Sequence, residues 1–217
     1  KPTPVPSPTA RPTATPLPTV TPTGTIKGLF SFNAKNPPSS DALTSRDVIG
    51  ISVGIDWPSL EPTQGNFSWS VIDAKVKQVT DAGKLVLLRI QTGGREGKPA
   101  WLDSLGCEKF SWKDPKDGTV LSIPVFFCEK YVDAHVAMIQ AVGAHFGSNQ
   151  KIVVVSDNFA NGQSNDWAVP SSRVVDGLPP TGSSQESRWM VAGWTHDKMV
   201  TAGKRTIAAW MAAMPRA

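Results

Sequence analysis

The chain has 217 residues, with 22 Lys and Arg against 18 Asp and Glu, which gives a formal net charge of +4. The basic residues are scattered and form no basic face with stacking aromatics, so we expect no nucleic-acid partner. No apolar run approaches the ~20 residues that a membrane helix requires, so we expect no transmembrane segment.

The chain begins with a low-complexity segment, residues 1–25, in which eight residues are proline and most others are Thr, Ser or Ala. Proline fixes φ and lacks an amide donor, and the segment has too few large apolar groups to offset the entropy of folding. We predict a disordered Pro/Thr-rich linker over 1–25 and one domain over 26–217. Such spacers are typical of exported proteins, so we expect an extracellular or cell-surface location and an upstream module or surface anchor.

Strands and helices are predicted to alternate through the rest of the chain. The predicted strands cover 26–32, 49–57, 84–91 and 152–156, and the predicted helices cover 69–82, 129–146 and 195–214. In the second strand Ile51, Val53 and Ile55 share one face, while Ser52, Gly54 and Asp56 share the other. This alternation with a period of two indicates a strand that is buried on its apolar face.

Each predicted helix carries an apolar stripe at helical spacing. Ser68 or Ser70 is expected to cap the first helix, and Gly83 is expected to end it. The stripes are Ile72, Val76 and Val79 in the first helix, Val132, Val136, Ile139, Val142 and Phe146 in the second, and Val200, Gly203, Ile207, Trp210, Met211 and Met214 in the third.

The loops differ in length on the two sides of the predicted sheet. Links from helix to strand are short, whereas the loops that follow the strands are long and polar. This asymmetry is typical of parallel α/β folds, whose functional residues lie in the loops after the strands. A (β/α)8 barrel takes ~250 residues, and this chain holds about four of its units.

Two cysteines, Cys107 and Cys128, lie in a long polar segment over 92–128. A disulfide between them would join the ends of an excursion and would persist in an exported protein. The alternative is two free buried thiols. We predict the disulfide.

One stretch resembles a known group of enzymes. The run GIDWPSLEPTQGNFSWSVIDAKVKQVTDAGKLVLLRI, followed by PAWL at 99–102, is similar to the N-terminal half of (β/α)8 glycoside hydrolases. The resemblance is to the β-galactosidase-like families 42 and 35 and their cellulase-like relatives, and it covers roughly residues 26–214. It implies a partial TIM barrel and a carbohydrate substrate, with β-galactosides as candidates.

The resemblance also implies a catalytic pattern. Retaining glycoside hydrolysis uses an acid and a nucleophile, two carboxyl groups ~5–5.5 Å apart. In the similar families the acid is the Glu of an Asn-Glu pair after the fourth strand, and the nucleophile is a Glu after the seventh strand. The loop that follows the predicted strand 152–156 has no Asn-Glu pair. We expect the second carboxylate to lie outside this chain.

Two aspartates are candidates for the acid. Asp166 follows Asn165, and Asp157 lies closer to the strand end, where it would point inward. The alternative is that both cap their own loop, as Asx residues commonly do. Asn161 and Asn165 are candidates for sugar contacts in the same loop.

Further substrate-binding candidates follow the other strands. Trp57, Trp101 and Trp167 could stack on sugar rings, although core packing is the alternative and is expected of Trp69, Trp194 and Trp210. Arg89 is either a donor to a sugar or a partner of Asp56 in an ion pair. Glu61 either accepts from a sugar hydroxyl or orders its own loop.

We predict no metal site and no cofactor. The three histidines, His135, His145 and His196, lie on separate helical stretches and are expected to be surface groups or satisfied core groups. The sequence therefore favours part of an exported retaining glycoside hydrolase. The alternatives are a non-catalytic carbohydrate-binding barrel and, with only the linker to support it, a structural surface protein. We expect the isolated half-barrel to be inactive, because the second carboxylate is absent. Its unpaired sheet edges and exposed apolar surface should make it marginally folded or prone to self-association.

Overall fold

The fold is taken from a computed structural model, which describes residues 27–32, 37–92, 97–113, 119–159 and 193–217. The predicted linker over 1–25 lies outside these residues. Along the chain the elements are β1 (Leu29–Ser31), α1 (Ser40–Thr44), β2 (Val48–Asp56), α2 (Trp57–Leu60), α3 (Ser70–Asp81), β3 (Leu85–Gln91), a 3-10 helix (Ala100–Leu105), β4 (Lys109–Lys113), β5 (Val120–Pro124), α4 (Glu129–Phe146), β6 (Ile152–Ser156) and α5 (His196–Ala213).

The main sheet has four strands in the order β1-β2-β3-β6, and every neighbouring pair is parallel. The predicted α/β alternation and parallel sheet are therefore confirmed. A helix lies in each connection between successive strands of this sheet, as parallel strands require a crossover. The carboxyl ends of all four strands consequently meet at one edge of the sheet.

The two faces of the sheet have different compositions. The face covered by helices carries Ile51, Val53, Ile55, Val86, Leu88 and Ile90, which form one buried core with Ile72, Val76 and Val79 of α3. The opposite face, which we call the second face, consists of Ser52, Gly54, Asp56, Leu87, Arg89, Gln91, Val154 and Ser156, with Gly54 beside Arg89 and Arg89 beside Ser156. Any functional group at the sheet edge therefore belongs either to the helix layer or to the second face.

Gly50 is required where β1 meets β2. A Cβ built on Gly50 would lie 2.2 Å from Cε1 of Phe30, closer than any real contact. The Phe30 ring therefore lies directly over the β2 backbone, and β1 ends with Phe30 and Phe32 directed to the second face.

Helix α5 packs on α4 at an unusually close approach. A Cβ on Gly143 would lie 2.4 Å from Cβ of Ala213. The contact turns Ala202, Thr206 and Trp210 into the core. The predicted stripe is wrong for Ile207 and Met211, which are 44% and 59% exposed, because this close contact sets the rotation of the helix.

The helix ends agree only in part with the sequence. Thr195 caps α5 by accepting a hydrogen bond from the amide of Lys198 at 3.2 Å. Gly83 follows α3 with a positive φ of 74°, which confirms the prediction that this glycine ends the helix. The N-cap of α3 is Trp69, without a side-chain hydrogen bond, so the prediction of Ser68 or Ser70 is wrong.

The segment between β3 and α4 contains an antiparallel hairpin, β4–β5, that the sequence analysis took for a polar loop. The predicted disulfide between Cys107 and Cys128 is confirmed, with a Cα–Cα distance of 5.9 Å. It joins the chain just before β4 to the N-cap of α4, so it closes the base of the hairpin excursion. No helix in the described ranges is long and apolar enough to cross a membrane.

Candidate functional site

The candidate site lies at the carboxyl edge of the sheet, where four loops leave the strands. Asp56 of β2 and Gln91 of β3 are register partners at this edge, and both are half-buried on the second face. They are the outermost side chains that the β2–β3 ladder directs to that face. Oδ1 of Asp56 is buried, and the carboxylate interacts electrostatically with Lys75 of α3.

Arg89 lies one tier below them and is only 3% exposed. Its guanidinium carbon lies 4.1 Å from the ring centroid of Phe32, which places the cation over the aromatic face. Such a contact is an attractive cation–π interaction. Neither predicted role of Arg89, sugar donor or partner of Asp56, describes this contact with Phe32.

Trp57 and Glu61 form a buried clamp at the end of β2. Trp57 is fully buried, and its Nε1 donates to Oε2 of Glu61 at 2.6 Å. Oε1 of Glu61 accepts from the amide of Gly65 at 2.7 Å. Trp57 therefore packs in the core and offers no open ring to a sugar, and Glu61 orders its own loop, which was the alternative for both residues.

Trp101 joins the same clamp from the 3-10 helix. Its Nε1 donates to the carbonyl oxygen of Glu61 at 3.0 Å, and its ring meets Trp57 edge-on at 5.8 Å between centroids. The ring is half-buried, so part of it stays accessible at the sheet edge. A sugar-stacking role for Trp101 stays a prediction.

Asp157, a candidate acid, is turned toward the helix layer. Its Oδ2 accepts from Oγ1 of Thr206 on α5 at 2.8 Å. Burial raises the pKa of Asp157 to about 6, against the opposing effects of the Thr206 hydrogen bond, the Phe159 amide and the nearby Trp210 indole. The expectation that Asp157 points inward is therefore wrong, because the alternation of β6 assigns Ser156 to the second face and Asp157 to the other.

Asn158 is a residue that the sequence analysis missed. It is 1% exposed, its Nδ2 donates to the carbonyl of Ile90 at 2.8 Å, and its Oδ1 accepts from Oγ of Ser156 at 3.1 Å. Its own carbonyl accepts from Oγ1 of Thr92 at 2.5 Å. Asn158 thus fixes the end of β6 to the end of β3.

Phe159 follows Asn158, so the pair after the fourth parallel strand reads Asn-Phe. The Phe159 ring is fully buried, with its centroid 6.0 Å from that of His135 and 6.2 Å from that of Phe126. The position directly after this asparagine carries no carboxyl group. The signal that would have identified the pair was the end of the apolar run at Ser156, two residues before Asn158.

Four predicted site residues, Asn161, Asn165, Asp166 and Trp167, lie outside the described residues. Their roles stay predictions.

The histidines have separate environments. Burial lowers the pKa of His135 to about 3, so its ring is neutral at ordinary pH. His145 contacts Oδ1 of Asp73 through Nε2 at 2.8 Å and stacks on Trp69, and His196 is exposed. Among the residues that the structure describes, no group of three His, Cys, Asp or Glu is placed to hold a metal ion.

Comparison with known proteins gives matches in structure alone. No protein-family model matches the chain, and no curated protein matches it. The β-galactosidase from the psychrophilic Marinomonas ef1 is similar, with a TM-score of 0.53, 15% identity and coverage of 87% of this chain and 36% of that one. The β-galactosidase from Rahnella sp. R3 has a TM-score of 0.53 and 17% identity, covering 88% and 35%.

A GH5_18 protein from Streptomyces cattleya, solved in complex with Manb1-4GlcNAc, is also similar. Its TM-score is 0.50 at 12% identity, covering 87% of this chain and 43% of that one. This chain thus spans well under half the length of the structures it matches. At these identities the likeness shows the fold, which is that of part of a (β/α)8 barrel of the kind found in glycoside hydrolases.

Proposed function

We propose that this chain forms part of a barrel that binds carbohydrate without hydrolysing it. The observation that carries the proposal is that Asn158, the first asparagine after β6, is followed by Phe159, whereas the resemblance implies an Asn-Glu pair after this strand. A buried phenyl ring can neither donate a proton to a leaving oxygen nor act as a base. General acid help contributes ~10²–10⁴-fold to such reactions, so its loss removes most of the turnover.

Carbohydrate as the ligand class is supported by the structural likeness. Two of the similar proteins are β-galactosidases, and the third holds the disaccharide Manb1-4GlcNAc. Gln91 and Asp56 are half-buried polar residues on the second face, at the edge where barrel proteins bind their ligands. These residues need no acid at position 159 in order to bind a sugar.

A second candidate is retaining hydrolysis of β-galactosides with Asp166 as the acid. This candidate has the same ligand class, but its general acid lies in the loop after Asn158. The Asn165-Asp166 pair in the sequence favours it, since an aspartate is one methylene shorter than the expected glutamate. The two candidates differ in a protein that also holds the second carboxylate, where Asp166→Asn would abolish turnover only in the second candidate.

We also propose that the protein is exported and carries a further module before its linker. The disulfide between Cys107 and Cys128 supports this, because such bonds persist in oxidising compartments. The Pro/Thr-rich segment over 1–25 supports a spacer role by its composition.

Affinity electrophoresis tests the ligand class. The 217-residue protein would be run through native gels cast with soluble β-galactan, β-glucan or β-mannan, beside albumin as a non-binding control. We expect retardation by at least one polysaccharide. Equal mobility in all gels would overturn the proposal.

A further inference from the structure

Among the residues that the structure describes, Phe32 is the most exposed aromatic ring on the second face. It follows β1 directly and is 68% exposed, while the guanidinium of Arg89 covers one side of its ring at 4.1 Å. The sequence analysis singled out Arg89 and not Phe32. In the structure the arginine is buried, and the ring is the group that meets solvent.

The contact crosses an intervening strand. Phe32 follows β1 and Arg89 belongs to β3, while β2 lies between them in the sheet. The β2 residue level with Arg89 is Gly54, which has no side chain to obstruct the guanidinium.

This arrangement holds the ring in one orientation before any ligand arrives. A cation over an aromatic face is attractive, and a buried guanidinium has little freedom to move away. Ordering a side chain in advance lowers the entropic cost of binding. The uncovered side of the ring is a flat apolar surface on the face of the sheet that carries Asp56 and Gln91.

The chemistry of this face selects a neutral pyranose. The C–H face of a sugar ring can pack on Phe32, and its hydroxyl groups can bond to carboxylate and amide groups. Arg89 is too buried to pair with the carboxylate of a uronic acid, so that carboxylate would lose water at the ring without gaining an ion pair with Arg89. A uronic acid is therefore disfavoured.

We propose that Phe32 is the stacking platform of a neutral-pyranose subsite on the second face, with Arg89 as its positioning residue. This inference rests on the proposed carbohydrate-binding function and assigns it a place in the molecule.

Saturation-transfer NMR on the 217-residue protein tests the platform, with methyl β-D-galactopyranoside, methyl β-D-glucopyranoside and methyl β-D-glucuronide as probes. We expect transfer to the ring protons of the two neutral sugars and weaker transfer to the glucuronide. Phe32→Ala should weaken the apparent affinity about fivefold, as expected for loss of one buried ring face. Phe32→Trp should retain it.

Leu29→Ala is the matched control, since Leu29 begins β1, three residues before Phe32, and is 64% exposed. It should leave binding unchanged. Equal binding by wild type and Phe32→Ala, or stronger binding of the glucuronide, would overturn the platform. If the polysaccharide gels retard the protein but no sugar shows transfer, the platform is wrong and the carbohydrate function stands. Failure of both experiments rejects the two proposals together.

Discussion

Oγ1 of Thr206 donates to Oδ2 of Asp157 at 2.8 Å, and this bond links the end of the fourth parallel strand to α5. The carboxylate that lies nearest the strand end is thereby committed to the helix layer. Its burial among Tyr131, Thr206 and Trp210 has two consequences: the group is removed from the second face, and it is costly to ionise.

The raised pKa of Asp157 predicts a pH-dependent stability. Its pKa is about 6 in the folded chain, against 3.8 as the ordinary value. Between these values the folded state binds more protons than the unfolded state. The contribution of Asp157 to stability is therefore highest below pH 4 and falls as the pH rises to 6. Asp157→Asn should remove this loss and stabilise the protein at pH 7 by on the order of 2 kcal/mol.

Urea unfolding at pH 4, 5, 6 and 7 measures the effect as the difference between wild type and variant. Asp81→Asn, at an exposed site on α3, is the control and should show no comparable trend. A wild-type-to-variant difference that stays constant across the pH range would contradict the prediction.

Glu61 should be a major determinant of stability at the sheet edge. It is 4% exposed and accepts from both the Trp57 indole and the Gly65 amide. Glu61→Ala leaves two donors unsatisfied and should cost about 2–4 kcal/mol, whereas Glu61→Gln keeps one acceptor oxygen and should cost less. Denaturant unfolding followed by tryptophan fluorescence measures both, with exposed Glu108→Ala as the control. Equal stability of Glu61→Ala and the control would refute the clamp.

Gly143 should not tolerate alanine, although alanine is the better helix former by about 1 kcal/mol. The added Cβ would lie 2.4 Å from Cβ of Ala213 and 2.9 Å from its backbone. We expect Gly143→Ala to destabilise the protein by about 1–3 kcal/mol through overpacking. Thermal unfolding measures the change in stability. Ala144→Gly, on the exposed side of α4, is the reference for the effect of helix propensity without a packing change. A higher melting temperature in Gly143→Ala would show that α4 and α5 are not in close contact.

The disulfide predicts that no thiol titrates in the unreduced protein. Cys107 and Cys128 are 21 residues apart, and a loop of this size contributes roughly 3 kcal/mol in the chain-entropy model. Thiol titration in denaturant should find no reactive group before reduction. The double variant Cys107→Ser/Cys128→Ser should lower the free energy of unfolding by roughly 3 kcal/mol. Two reactive thiols in the unreduced protein would refute the bond.

The parallel sheet and its crossover helices were predictable because their signals are local. Alternation in β2 and the stripe of α4 each decide which side of an element is buried, and α4 has the predicted bounds. The rotation of α5 was not predictable, since it depends on the missing side chain of Gly143 in a different helix.

The candidate site was less predictable because its side-chain contacts also depend on residues that are distant in the chain. The exposure of Phe32 depends on a contact across β2, and the direction of Asp157 depends on Thr206, which is 49 residues away in the chain. A search for an Asn-Glu pair does not find Asn158, because its neighbour Phe159 is not an acid. Only its position two residues after the end of β6 identifies it. Side chains whose roles depend on distant partners give no periodic signal in a sequence.

Turnover of aryl β-galactosides and aryl β-glucosides by the 217-residue protein tests the central claim most directly. We predict release of the aryl group no faster than in buffer, for wild type and for Asp166→Asn alike, because the asparagine after the fourth parallel strand is followed by Phe159, which carries no carboxyl group, and because the second carboxylate is expected to lie outside this chain. Turnover that is abolished by Asp166→Asn and retained by Asp157→Asn would contradict it and would identify Asp166 as the catalytic acid. Turnover that survives in both variants would also contradict it, and would assign the acid to another residue.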